Sequence, residues 1–215
     1  MDWVSQRHMM VSRQLRARGI RDERVLEAML AIPREEFVAT GDRGGAYVDE
    51  PLGIGYGQTI SQPYMTALMA QCLELVGTET VLEVGAGCGY HAAVLGALAA
   101  RVITVELIPE LAAVARENLA KTGRLGNITV IAGDGSLGYL PEAPYDGISV
   151  AAAAAAEIPR ALLDQLKDSG RMVIPVGPFA EQELRVVRKR RGEIDWHVAS
   201  YCRFVPLREA VPRVD

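Results

Sequence analysis

The feature that most constrains the fold of this chain is an alternation of predicted strands and helices that begins at Pro63. Short apolar runs predict the strands, and longer segments with helical spacing predict the helices. The predicted order is helix 63–75, strand 80–84, helix 90–100, strand 101–106, helix 109–121, strand 127–131, strand 145–150, helix 158–167 and strand 170–176. Because crossover helices of this kind join parallel strands, we predict an α/β fold, a doubly wound and mainly parallel sheet with helices on both faces.

The N-terminal part of the chain follows a different pattern. Residues 3–18 carry irregularly spaced apolar positions and predict a helical segment that ends at Gly19. A second short helix is predicted over Asp22–Ala31. The stretch from Phe37 to Gln62 contains six glycines, which predict loop and turns. Long loops in compact domains are usually functional, so we expect this one to contribute to a site.

The C-terminal part of the chain predicts an antiparallel hairpin. Glu183–Lys189 and Glu193–Val205 both alternate apolar and polar residues, and Arg191-Gly192 lies between them as a turn. With no internal repeat or linker, we expect a single domain over residues 1–215. Within it, residues 1–62 form N-terminal helices and a substrate and cofactor loop, 63–178 the cofactor-binding core, and 179–215 the hairpin and tail.

Composition narrows the classes of partner. The net charge of −4 and the pI near 5.5 provide no electropositive face, so we expect no nucleic-acid partner. Three widely spaced cysteines indicate reduced thiols rather than a zinc site or disulfides. The N-terminus lacks the apolar core of a signal peptide, and no segment approaches the ~20 apolar residues of a membrane span. We therefore expect a cytoplasmic location, no membrane partner and a monomer.

A glycine-rich loop joins the strand predicted over 80–84 to the following helix. It contains Gly85, Ala86, Gly87 and Gly89, and glycines allow backbone N–H groups to approach a ligand closely. A dinucleotide-binding loop has its third glycine one position later, where this chain has Tyr90. The spacing therefore argues against a nicotinamide or flavin cofactor.

Acidic residues follow this loop at the ends of the next strands. Glu106, followed by Leu107, ends the second strand, where an acid can accept both hydroxyls of a ribose. Asp134 and Gly135 follow the third strand and can bind an adenine edge. Glu83 either favours a cationic group of the ligand or is a strand-end acid held by backbone donors. Together these residues resemble the Rossmann-like S-adenosylmethionine-dependent methyltransferases, which implies S-adenosyl-L-methionine as cofactor and S-adenosyl-L-homocysteine as product.

Three further segments resemble one methyltransferase family. They are residues 14–26, residues 55–65 (Gly-Tyr-Gly-Gln-Thr-Ile-Ser-Gln-Pro-Tyr-Met) and residues 203–207. They are similar to the protein-L-isoaspartate (D-aspartate) O-methyltransferases, which methylate the α-carboxylate of isoaspartyl residues in damaged proteins and peptides. The resemblance implies that Ser61 is the catalytic residue that contacts the substrate carboxylate. It also implies that Gln58, Thr59 and Ile60 contact the cofactor.

This chemistry needs neither a metal nor a general base. A carboxylate is already ionised near neutral pH, since its reference pKa is about 4, and it can attack the sulfonium methyl directly. The sequence accordingly predicts no metal site, and His8, His91 and His197 are interpreted as structural or exposed. From the residues alone, the favoured interpretation of Ser61 is a cap of the helix that starts at Pro63.

Other functions remain as alternatives. A dedicated relative that methylates a chosen aspartate in a biosynthetic precursor peptide would share the catalytic core. A non-catalytic cofactor-binding module and a nicotinamide dehydrogenase are disfavoured by Ser61 and by the glycine spacing. Two positions depart from the usual family pattern: Ala151 stands where a threonine is common, and Cys88 where a serine is common.

Overall fold

The structure, a computed structural model, describes residues 2–209 and contains a seven-stranded sheet. The sheet strands are β3 (Thr80–Val84), β4 (Arg101–Glu106), β5 (Ile128–Ala132), β6 (Tyr145–Val150), β7 (Leu166–Val176), β8 (Gln182–Arg190) and β9 (Glu193–Cys202). Their order is β5-β4-β3-β6-β7-β8-β9. The first five strands in this order are parallel, and β8 and β9 are antiparallel to their neighbours. The predicted mainly parallel α/β sheet is confirmed.

Helices cover both faces of this sheet. The α-helices are α1 (Trp3–Met9), α2 (Glu23–Ala31), α3 (Pro63–Cys72), α4 (Tyr90–Leu98), α5 (Pro109–Lys121) and α6 (Arg160–Gln165). Helices α2 to α5 pack with one face of the sheet in a large apolar core, and α6 belongs to a second core on the other face. Alternation along each strand explains the two cores: in β3, Val81 joins the first and Leu82 the second.

The predicted N-terminal helical segment changes type along its length. After α1 the chain forms a π-helix over Met10–Leu15 and a 3-10 turn over Arg16–Arg18. Gly19 ends the segment with a φ of +94°, a conformation that glycine adopts without strain. These changes of helix type explain the irregular apolar spacing. The side chain of Asp22 caps α2 by accepting bonds from two backbone N–H groups, so the second predicted helix is also present.

The glycine-rich stretch from Phe37 to Gln62 is more ordered than predicted. It contains a 3-10 segment (Thr40–Gly45) and a small antiparallel hairpin of β1 (Leu52–Gly55) and β2 (Gln58–Ile60). Tyr56 and Gly57 form its turn with φ angles of +55° and +69°. The prediction of loop and turns missed the two short strands, because the glycines mark the tight turn of a hairpin as well as loop.

The C-terminal hairpin is confirmed, with Arg191 and Gly192 at its turn. β9 ends at Cys202, three residues before the predicted end at Val205. The strand predicted over 170–176 begins earlier, at Leu166, because α6 is shorter than predicted. Residues 210–215 of the predicted tail lie outside the described residues. Within residues 2–209, no helix is long and apolar enough to cross a membrane.

Candidate active site

A cleft lies at the carboxyl ends of β3, β4 and β6 and contains about 880 Å³ of empty space, part of it open to solvent. Its position follows from the topology. The chain leaves β3 toward β4 on one side and later returns to β6 on the other, and such a switch point leaves a crevice for a ligand. The lining residues are Gln58, Thr59, Ile60, Ser61, Thr66, Val84, Gly85, Ala86, Gly87, Cys88, Tyr90, His91, Val105, Glu106, Leu107, Ile108, Gly135, Ala151, Ala152, Val205, Pro206, Leu207 and Arg208.

The glycine loop forms one wall of the cleft. Gly85, Gly87 and Gly89 have φ angles of +92°, +53° and +89°, which residues with a side chain rarely adopt. The N–H of Gly85 donates to the carbonyl of Val105 at 2.8 Å and so fixes the loop to β4. A Cβ on Gly87 would lie 3.1 Å from Ile54 Cδ1 of β1, so the hairpin packs directly against the loop. Gly89 faces α5 instead, since a Cβ there would meet the Ala115 carbonyl oxygen at 3.2 Å.

Glu106 lies at the end of β4 and lines the cleft, as predicted for a ribose ligand. Its Oε2 accepts a hydrogen bond from the Gly87 N–H at 2.9 Å, and its Oε1 accepts one from the Ile108 N–H at 3.0 Å. Each carboxylate oxygen has two lone pairs, so both oxygens keep an acceptor position after these bonds. The carboxylate therefore orders the glycine loop and can still accept the two hydroxyls of a ribose.

The segment after β5 contributes Gly135, which lines the cleft, while Asp134 lies just outside the lining. The Oδ1 atom of Asp134 accepts bonds from the N–H and the hydroxyl of Ser136, at 2.9 and 2.6 Å, and so caps the short 3-10 turn Gly135–Leu137. A Cβ on Gly135 would lie 2.5 Å from Val84 Cγ1, which explains the glycine. The predicted adenine contact of Asp134 stays a prediction.

Residues 58–61 form another part of the wall, and all four line the cleft. Ser61 is half-buried, and its hydroxyl forms no hydrogen bond with any residue between positions 2 and 209. The cap of α3 is Gln62, which provides no side-chain bond to the helix. Ser61 is therefore not the helix cap that its place before Pro63 allows, and its hydroxyl is available in the cleft.

Glu83 was predicted to face a cationic group or to be held by backbone donors. The second interpretation is wrong, because neither carboxylate oxygen has a hydrogen-bond partner in the described part of the chain. The side chain is completely buried behind the glycine loop. Burial raises the pKa of Glu83 to about 8, the nearby Thr104 hydroxyl opposes this shift, and the charge of Glu106 adds to it.

His91, on the first turn of α4, lines the cleft beside this carboxyl group. Its Nδ1 lies 3.6 Å from Glu83 Oε1, and its Nε2 has no partner in the residues described. Burial lowers the pKa of His91 to about 4, so the imidazole is neutral near pH 7. Burial also raises the pKa of the Cys88 thiol, to about 11, so this cysteine stays protonated and fills space in the loop.

Sequence reasoning missed part of the lining. Residues 205–208 reach the cleft because the tail pairs with the segment after β6: Ala153 N–H donates to the Val205 carbonyl and Leu207 N–H to the Ala153 carbonyl, both at 2.8 Å. The segment 203–207 was recognised as a family motif, but no local pattern shows where a tail folds back. Thr66 and Ile108 were also missed.

Across residues 2–209, no three His, Cys, Asp or Glu side chains form a group that could hold a metal ion.

Comparison with known proteins assigns the sequence to one family. The sequence model of the family described as protein-L-isoaspartate(D-aspartate) O-methyltransferase matches residues 5–211. A protein-L-isoaspartate O-methyltransferase of Koribacter versatilis is 54% identical over 198 residues, which are 92% of this chain and 88% of that protein.

Solved structures agree with the sequence match. One protein-L-isoaspartate O-methyltransferase superposes with a TM-score of 0.83 at 28% identity; the match covers 93% of this chain and 65% of that one. A Plasmodium falciparum structure, described as a protein-L-isoaspartate O-methyltransferase in complex with S-adenosyl-L-homocysteine, gives a TM-score of 0.81 at 26% identity. That match covers 98% of this chain and all of the other.

Proposed function

The chain belongs to the protein-L-isoaspartate (D-aspartate) O-methyltransferase family, and from this we infer that it is a protein repair enzyme. It transfers a methyl group from S-adenosyl-L-methionine to the α-carboxylate of L-isoaspartyl residues in damaged proteins and peptides. The observation that supports this most directly is the cleft itself. It combines a glycine loop and a strand-end acid with a serine whose hydroxyl is available.

The residues of the cleft suit this cofactor. Gly85, Ala86 and Gly87 present backbone without obstructing side chains, and Glu106 keeps acceptor positions for ribose hydroxyls. We assign Leu107, Asp134 and Gly135 to the adenosine end. Residues 58–60 line another part of the cleft, and Glu83 and Gly89 support the loop from behind. When bound, the cofactor supplies a methyl group on a cationic sulfonium.

Ser61 is proposed to orient the substrate. Its hydroxyl donates one hydrogen bond to the isoaspartyl carboxylate and holds the attacking oxygen in line with the methyl group. The carboxylate is already ionised, so the residues around it position the reactants and exclude water rather than remove a proton. The low pKa of His91 makes it a poor base near neutral pH, which is consistent with a reaction that needs no general base.

The hairpin β1–β2 suits a substrate that varies in sequence. It lies at the mouth of the cleft, and Tyr56 at its turn is exposed. An extended peptide held mainly by main-chain hydrogen bonds is recognised without regard to most of its side chains.

We propose in addition that the chain works as a single-domain monomer in the cytoplasm, without nucleic-acid or membrane partners. The three unpaired cysteines agree with a reducing compartment.

The experiment that tests this function offers the enzyme matched peptides that differ at one position. Peptides with L-isoaspartate, L-aspartate or D-aspartate are incubated with labelled cofactor, and the methyl transferred to each is counted. We expect strong labelling of the isoaspartyl peptide and little of the aspartyl one. An enzyme that ignores isoaspartate and labels normal aspartate in a single sequence would instead be a dedicated peptide-modifying methyltransferase.

A further inference from the structure

A row of polar side chains crosses the centre of the sheet beneath the cleft. Thr104 on β4 and Ser149 on β6 are the register partners of Glu83 on β3, so the three side chains lie next to one another on one face. All three are completely buried, and His91 on α4 lies against Glu83. We call these four residues the buried polar row.

The buried polar row has almost none of the hydrogen bonds that buried groups normally make. Both oxygens of Glu83, the hydroxyls of Thr104 and Ser149 and the Nε2 of His91 have no partner with hydrogen-bond geometry in residues 2–209; the Thr104 hydroxyl is near enough to Glu83 to act on its pKa but makes no such bond. The closest approach is the 3.6 Å between His91 Nδ1 and Glu83 Oε1, which is too long for a hydrogen bond. Buried polar groups are nearly always paired, so a concentration of unpaired ones indicates a site that is completed by something else.

The buried polar row adjoins the part of the cleft that holds the cofactor. Glu83 lies on β3, two residues before Gly85 of the glycine loop, and His91 itself lines the cleft. Thr66 of α3 is buried on the same side and also lines the cleft. Glu83 is fully buried and does not line the cleft itself, so the buried polar row borders the ligand space through His91, whose Nδ1 lies 3.6 Å from the carboxyl group.

Among residues 2–209, no positively charged group acts on the pKa of Glu83. The titratable groups that interact with it are His91 of α4, Glu106 of β4 and Cys88 of the glycine loop. His91 is neutral near pH 7, Cys88 is protonated, and Glu106 is acidic and opposes a second negative charge. A buried carboxyl group without a cation stays protonated, so Glu83 is a neutral acid before the cofactor arrives.

We propose that the buried polar row is a proton-linked binding site for a cationic group of the cofactor. On binding, the O–H bond of the Glu83 carboxyl breaks, the proton passes to solvent, and the carboxylate that remains neutralises the cation. Thr104 and Ser149 then have an ionised acceptor for their hydroxyl protons. This inference depends on the proposed function for the identity of the ligand, and it adds how the empty enzyme avoids an uncompensated charge.

Proton release has a measurable consequence for affinity. When ligand binding displaces one proton, the affinity rises about tenfold for each unit of increase in pH. This holds over the pH range in which the free enzyme still carries that proton. Affinity for S-adenosylmethionine should therefore rise between about pH 6 and pH 8 and level off above that. Replacing Glu83 with glutamine removes the proton and should remove this dependence.

The test is titration calorimetry of the full chain with S-adenosylmethionine, at about pH 6.5, in two buffers that differ in ionisation enthalpy. The difference in heat counts the protons released. We expect close to one proton for the natural chain and none for Glu83→Gln, which has nearly the same shape. Glu110→Gln removes an exposed acid from the first turn of α5 and should release the same number as the natural chain. Thermal unfolding confirms that each variant is folded.

Two further ligands identify the cation. S-adenosylhomocysteine carries the amino group but no sulfonium, and methylthioadenosine carries neither. Release with both S-adenosylmethionine and S-adenosylhomocysteine assigns the amino group, whereas release with S-adenosylmethionine alone assigns the sulfonium. Tight binding of S-adenosylmethionine without proton release, or equal release by Glu83→Gln, would overturn the inference. Absence of any binding would count instead against the proposed function.

Discussion

At the scale of single residues, Glu83 should make the stability of the empty protein depend on pH. Its pKa is about 8 in the folded chain, against an ordinary value of 4.5. Between these values the unfolded chain loses the proton while the folded chain keeps it, so the free energy of unfolding falls as pH rises. The folded state is therefore most favoured by this residue below pH 4.5 and least favoured above pH 8.

Glu83→Gln should remove this loss of stability. We compare the free energies of unfolding of Glu83→Gln and the natural chain without cofactor. As pH rises from about 5 to about 8, we expect their difference to shift in favour of the variant by on the order of 3 kcal/mol. Urea unfolding at the two pH values measures the gain. Glu110→Gln provides the control, because that acid is exposed. An equal difference between Glu83→Gln and the natural chain at both pH values would show that Glu83 is ionised in the fold.

Individual site residues could be predicted only where a local pattern defines them. The glycine loop, Glu106 and Ser61 are marked by spacing or by motif, and all of these residues line the cleft except Gly89, which faces α5. The burial of Glu83 against Thr104 and Ser149 depends on which strands are neighbours, and a single segment contains no such information. His91 was interpreted as structural or exposed, with its closeness to the glycine loop noted; it lines the cleft because it lies on the first turn of α4, directly after that loop.

At the scale of elements, the glycine loop and the hairpin β1–β2 depend on each other. Gly87→Ala would place a methyl group 3.1 Å from Ile54 Cδ1 and force alanine into a φ of +53°. The left-handed conformation alone costs roughly 1–2 kcal/mol. We expect affinity for S-adenosylmethionine to fall at least tenfold, as measured by calorimetry.

A second substitution separates the steric part of this effect from the conformational part. Gly87→Ala combined with Ile54→Ala should recover part of the lost affinity, because the contact between loop and hairpin is relieved while the unfavourable φ remains. Ile54→Ala alone serves as the matched control. If the double variant binds no better than Gly87→Ala, the hairpin does not press on the loop and their packing is not part of the site.

The elements themselves were predicted well where the pattern is periodic. Strands 101–106 and 145–150 and helix 109–121 have the predicted limits, since apolar runs and helical spacing define them locally. The hairpin β1–β2 was missed because its strands have only four and three residues. Strands this short leave too few positions to show alternation, and their glycines favoured an interpretation as loop.

At the scale of the whole molecule, the cleft joins parts that are distant in sequence. The hairpin comes from the N-terminal part, the glycine loop and Glu106 from the central part, and residues 205–208 from the C-terminal tail. Sequence periodicity predicted a mainly parallel sheet. It could not show that the tail pairs with the segment after β6, because that contact depends on the finished fold.

Binding of the cofactor should therefore stabilise all three parts together. At a concentration of S-adenosylmethionine about 100 times its dissociation constant, the free energy of unfolding should rise by about 2.7 kcal/mol. Hydrogen exchange should slow in the hairpin, in the glycine loop and in the tail in the same titration. Protection confined to the glycine loop would contradict a cleft that these three parts form jointly.

The central claim is that Ser61 orients an ionised carboxylate toward the methyl group. The most direct measurement compares Ser61→Ala, Ser61→Thr and the natural chain for kcat on an isoaspartyl peptide and for affinity toward S-adenosylmethionine. We predict that Ser61→Ala lowers kcat roughly tenfold or more, the effect of one lost hydrogen bond to a charged group, while cofactor affinity stays similar. Ser61→Thr retains a hydroxyl and should recover part of the rate. Turnover by Ser61→Ala at the natural rate would contradict the account.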